Sequence, residues 1–96
     1  MKRLVWSLSA KQDIESISDY LGVDAAYEFP QIAERIVQAA QILISSPYVG
    51  PVIGLNGERK WKVRGLPYLI IYRPSKSGTR ILRIRHGNEN WREILL

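Results

Sequence analysis

The stretch ILRIRHGNENW, residues 81–91, gathers the side chains best suited to chemistry: Arg83, Arg85, His86 and Trp91. His86 is the only histidine of the chain. Its unperturbed pKa of ~6.5 makes it the one side chain ready to exchange a proton at neutral pH. Arginines beside it would hold an anion such as a phosphate. Three uses fit these residues: a nuclease site, a docking face for a partner, or ordinary sheet chemistry. In the bland reading, His86 is a hydrogen-bonded packing residue at a strand end, closed by Gly87. Trp91 then anchors the C-terminal segment rather than stacking a base.

Little else in the chain is reactive. There is no cysteine, and one histidine alone makes a dedicated zinc site a poor expectation. No nucleotide-binding glycine loop and no Ser-His-Asp set is present, so no cofactor is expected. The net charge of +5 is unevenly spread. Residues 1–49 carry four Lys/Arg against six Asp/Glu, a net of −2, whereas residues 50–96 carry ten against three, a net of +7. The basic half favours an anionic partner, whether nucleic acid, a ribosome or an acidic protein, although solubility alone also accounts for such a bias.

The elements that position these residues follow from length and periodicity. Ninety-six residues, 46% of them hydrophobic, suit one domain spanning 1–96 with one core. No apolar run reaches membrane-spanning or signal-peptide length, so the chain reads as cytoplasmic. RLVWS (3–7) reads as a short edge strand. A first helix follows, with Ser9 and Gln12 at capping-box spacing, Ile14, Ile17 and Leu21 on one face, and Gly22 as its stop. A second helix, with Asp24 as a possible cap, carries the stripe Phe29, Ile32, Ile36, Ala40 and Leu43 before Pro47. Pro30 disturbs it. Either the regular helix starts near Phe29, or an earlier turn bends at Pro30, and the bent helix is the preferred expectation.

Residues 47–57 are a Pro/Gly loop, after which the period becomes that of strands. ERKWKVR (58–64), YLIIYR (68–73) and TRILRIRHG (79–87) follow one another with short turns, and residues 88–96 end in a helical turn. The expected fold is α+β, in the order β-α-α-β-β-β. A helix hairpin packs on one face of a small, mainly antiparallel sheet. Simple alternation puts Leu82, Ile84 and His86 under the helices. It puts Ile81, Arg83 and Arg85 on the opposite face, beside Lys60, Lys62 and Arg64. Those five cations form the candidate binding face. Trp61 and Tyr72 either pack or stack a partner, and Trp6 has the same ambiguity.

Several of these residues together resemble a known family. They are the strand ending in Trp6; Ala10, Asp13, Ile14, Ile17 and Tyr20 in the first helix; Ala25, Ala26 and Phe29; Pro47 and Gly50; Arg59; the run GLPYLIIYR; and the closing ILRIRHGNENW. In order and spacing they resemble the ParE branch of the ParE/RelE toxin superfamily of bacterial type II toxin–antitoxin systems. Pro30, Asn88 and Asn90 depart from the usual pattern. The resemblance covers essentially the whole chain. It implies a toxin linked to plasmid stabilisation and neutralised by a ParD-like antitoxin, whose C-terminal segment folds against the toxin in a hetero-oligomer. Trp6, Tyr20 and Trp61 are the candidate antitoxin contacts.

The resemblance offers two targets. ParE-type toxins act on DNA gyrase and stall it on broken DNA. RelE-type relatives cut messenger RNA on the ribosome. RNA cleavage needs a base for the 2′-hydroxyl, a cation for the pentavalent phosphate and an acid for the leaving oxygen. Arg64, Arg83 and Arg85 would serve as cations, with His86 as the proton-transfer group. Strand alternation turns His86 away from them, however, and no tyrosine follows Tyr72. The expectation is therefore a binding poison of gyrase that engages its target through Lys60, Lys62, Arg64, Arg83 and Arg85. The alternatives are a ribosome-dependent endonuclease, or an inactive relative that only binds its antitoxin.

Overall fold

The computed structural model describes residues 3–21 and 29–87, with 18–21 and 29 as backbone only. The elements run β1 (Arg3–Trp6), α1 (Leu8–Leu21), α2 (Phe29–Ser45), β2 (Arg59–Lys62), β3 (Tyr68–Ser75) and β4 (Gly78–His86). The sheet order is β1-β4-β3-β2. β2, β3 and β4 form an antiparallel meander, while β1 pairs in parallel with β4 at one edge. Two helices lie on one face of this mixed sheet, as the α+β expectation requires.

The start of α1 differs from the expected one. Ser7, not Ser9, is the cap: its hydroxyl oxygen accepts the Ala10 amide at 3.0 Å. The same hydroxyl donates to the Leu82 carbonyl at 2.8 Å, so one side chain ties the helix start to β4. Ala10 and Ile17 of α1 and Ile36, Ala40 and Leu43 of α2 are buried, joined by the partly buried Ile14 and Ile32. Both apolar stripes thus face the sheet at helical spacing. Pro30 falls in the first turn of the described α2, where a missing amide donor costs little. The expected bend at Pro30 needs an initial turn over residues 25–29, of which 25–28 are outside the described residues, as are Asp24 and residues 88–96.

The strand register explains the core. Trp61 pairs with Ile70, and Ile70 with Ile84. Across the bulge, Tyr72 pairs with Ile81, and Ile81 with Trp6 of β1. All of these belong to the helix-side cluster or pack against it. Thr79, also buried, donates its hydroxyl to the Leu43 carbonyl at 2.8 Å and so fastens β4 to the end of α2. At Gly78 the backbones of β1 and β4 are in tight contact. A methyl there would collide with the Arg3 backbone, and its φ of 147° is one that other residues rarely adopt.

One irregularity corrects the expected faces. Ile71 pairs with Arg83, but Tyr72 pairs with Ile81, so β4 has one residue too many at Leu82. Such a bulge resets the alternation. Ile81, expected beside the arginines, is fully buried in the core, and Leu82, expected there, is only half-buried. Ile84 and His86 keep the helix-side parity, and Arg83 and Arg85 keep the other.

Candidate functional site

At the C-terminal end of β4 the sheet edge has no strand neighbour among the described residues, because β1 stops at Trp6, opposite Ile81. α1 fills the gap. Asp13 accepts the Ile84 amide at 2.9 Å, standing in for a ladder partner. It also accepts two bonds from Arg83, through Nε at 2.8 Å and Nη2 at 2.9 Å. A two-pronged guanidinium–carboxylate contact is the strongest pairing these groups can make. Arg83 therefore does not stand out from the sheet as expected. It folds round the strand edge to the helix.

A cleft of about 640 Å³ lies here, lined by Asp13, Ser16, Tyr68, Arg83, Arg85 and His86 with the apolar Ile17 and Ile84. It brings His86 together with both arginines, which the alternation argument had separated. The correction follows from the open edge, around which side chains of opposite parity can reach one cleft. His86 meets the Tyr68 ring edge-on, with centroids 5.7 Å apart and planes at 83°. That arrangement fits a packed aromatic pair. Among the described residues no group of His, Asp and Glu is gathered that could hold a metal ion.

A second groove, of about 920 Å³, runs along the other edge of the sheet. Ala39, Ile42, Trp61 and Val63 supply its apolar surface, and Arg35, Lys62 and Arg64 bring positive charge. Arg64 sits in the turn after β2, so it belongs to this groove and not with Arg83 and Arg85. Lys60 and Lys62 pair with Ile71 and Leu69, on the sheet face away from the helices. The five expected target contacts are thus spread over the second groove, the sheet face and the α1 cleft. The three expected antitoxin contacts are separated too. Trp61 lines the groove, while Trp6 lies on the opposite edge strand, half-buried against the core. The Tyr20 side chain is outside the described residues.

A polar knot holds the loop before β2. The Arg59 guanidinium donates to the Gly50 carbonyl at 2.6 Å and the Tyr48 carbonyl at 3.1 Å, and lies 5.0 Å from the centre of the Tyr48 ring. The buried Tyr72 hydroxyl accepts the Gly50 amide at 3.0 Å. Burial pushes the Tyr72 pKa up, opposed in part by that amide and by Arg59.

Reading the sequence as separate strands missed a third cluster. Arg73 of β3 stands directly opposite Arg80 of β4, and Arg3 of β1 projects on the same face. The signal was present, because Arg73 and Arg80 are equidistant from the two-residue turn Lys76–Ser77.

Three comparisons bear on this geometry. The model of the family described as the ParE toxin of type II toxin–antitoxin system, parDE, matches residues 4–91. A candidate toxin of Sinorhizobium fredii, Y4kP, is 28% identical over 94 residues, covering 98% of this chain and 97% of the relative. A solved structure from the chromosomal ParDE toxin–antitoxin system of P. aeruginosa superposes with a TM-score of 0.78. It shares 22% identity and covers 90% of this chain and 96% of that one, so the likeness is one of fold.

Proposed function

The chain belongs to the ParE toxin family of type II toxin–antitoxin systems, and from that premise we propose that it poisons DNA gyrase by binding, with no catalytic step of its own. The observation that carries this reading is the engagement of Arg83. Two of its donors are given to Asp13, so its charge is largely neutralised inside the cleft that contains His86. A substrate phosphate entering there would meet the Asp13 carboxylate at the place where RNA cleavage needs unopposed positive charge. His86, set edge-on against Tyr68, is read as a packing residue. Lys60, Lys62 and Arg85 remain the proposed gyrase contacts, with Arg83 holding the scaffold behind them.

The cognate antitoxin is proposed to be ParD-like and to occupy the groove along α2 and β2. An apolar floor with Trp61 at one side, edged by Arg35, Lys62 and Arg64, fits a segment that is apolar on one face and acidic on the other. In this reading the toxin works in the cytoplasm and is held there as a hetero-oligomer with its antitoxin. Trp6, distant and half-buried, is read as a core residue.

The deciding experiment is plasmid supercoiling by purified gyrase, with and without the purified chain, trapping any cleaved DNA. Blocked supercoiling with accumulated cleaved plasmid is expected. His86→Gln should leave that inhibition intact. A folded protein without effect on gyrase would end this reading, and transcript cleavage abolished by His86→Gln would establish the nuclease instead.

A further inference from the structure

Arg73 and Arg80 occupy directly opposed positions on the sheet face away from the helices. Like charges in that position repel. Arg3 joins them from β1, where Val5 pairs with Arg80 and Arg3 lies two residues back on the same face. The turn between β3 and β4 adds Lys76 and Ser77, whose hydroxyl lies 3.4 Å from that of Ser75 at the end of β3. Among the described residues no carboxylate lies within ion-pairing distance of Arg3, Arg73, Lys76 or Arg80. Glu58, just before β2, turns its carboxylate into its own loop to accept the Asn56 amide at 3.2 Å. The cluster is also stiff: the Arg3 amide donates to the Ser77 carbonyl at 3.1 Å, and β1 packs tightly against Gly78.

We infer that this arginine cluster, Arg3, Arg73 and Arg80 with Lys76, binds the phosphate backbone of duplex DNA without help from another protein. Opposed guanidiniums lacking a carboxylate partner are relieved by an anion, and phosphate matches the guanidinium fork. The face chooses among anionic partners. A protein partner is anchored by buried aromatic or aliphatic groups. Such groups line the α2–β2 groove at the opposite edge, whereas the aliphatic side chain within this cluster is the single small Val5, paired with Arg80. Single-stranded nucleic acid is held by stacking on aromatic rings. Trp6, Trp61, Tyr68 and Tyr72 all project toward the helices, so the strands offer no ring on this face. What remains, among the described residues, is a surface of cations with serine hydroxyls beside it and no aromatic ring from the strands, suited to the backbone of a duplex. The gyrase reading supplies the setting, since gyrase holds DNA, but the binding itself is read without gyrase. A failure of one is therefore distinguishable from a failure of the other.

The test is fluorescence anisotropy of a labelled duplex of about 20 base pairs titrated with the full chain, repeated between about 50 and 200 mM salt. Four phosphate contacts predict a slope of about −3.5 in log affinity against log salt, alike for unrelated sequences. Arg73→Gln with Arg80→Gln should lower the slope by about 2, with circular dichroism unchanged. Lys11→Glu changes the net charge by the same amount on the first helix and should leave the slope as it was. No binding at the lowest salt overturns the inference. So does an equal loss from the Lys11→Glu variant, or an unstructured RNA strand that displaces the duplex.

Discussion

Asp13 shows how a single side chain settles what its neighbours can do. Its carboxylate completes the β4 edge at Ile84 and holds Arg83. Arg83 is 27% exposed and Asp13 14%, so the pair is partly screened and falls short of a fully buried one. Asp13→Ala is expected to lower the unfolding free energy by about 2 kcal/mol in urea titration. Adding Arg83→Met should recover part of that loss, because the stranded charge is then gone. Tyr72 makes a pH prediction. Its hydroxyl ionises less readily folded than unfolded, so its contribution is complete below pH ~10 and is lost as the pH rises through the raised folded value. The stability difference between the chain and Tyr72→Phe should therefore shift against the tyrosine form only in alkaline solution, as thermal melts at neutral and alkaline pH would show.

Helices and strands here are joined by short polar fastenings. Ser7 caps α1 and also reaches Leu82, so Ser7→Ala loses both bonds; about 1–2 kcal/mol in chemical denaturation is expected. Gly78→Ala attacks the same edge from the backbone side. A Cβ there meets the Arg3 backbone, and β1 must move away from β4. The expected result is loss of amide-exchange protection over residues 3–6, ahead of any loss in the β2–β3–β4 meander. The bulge at Leu82 matters at this scale as well. By inserting one residue it lets Ile81 and Ile84, three apart in sequence, both enter the core.

Across the whole molecule, the proposed contacts divide between two sheet edges and one face. The α2–β2 groove combines apolar lining with positive charge, whereas the arginine cluster carries charge with no ring beside it from the strands. Trp61→Ala is therefore expected to weaken antitoxin binding at least tenfold by calorimetry while leaving duplex DNA binding unchanged. Trp6→Ala should instead lower stability, because its ring packs on the core. The dependence on salt should separate the two partners further. A groove with an apolar floor keeps much of its affinity as salt rises, and a phosphate-reading face does not.

Element order, the two apolar helix stripes, the meander and the basic second half were all legible in the sequence. Each is a local pattern: a period of 3.6 or 2, a Pro/Gly loop or a charge count. The faces were legible only in part. Strand periodicity is 2, so one inserted residue sets the two sides of a strand out of step: the faces of Arg83, Ile84, Arg85 and His86 follow from alternation, that of Ile81 is reversed, and no feature of ILRIRHG announces the extra residue at Leu82. Nor does local sequence say that β1 ends at Trp6 and leaves an open edge for Asp13 to close. Contacts 70 residues apart decide that Arg83 belongs to the scaffold. Strand pairing places Arg3, Arg73 and Arg80 together, because charges on three separate strands become neighbours only once the register is fixed.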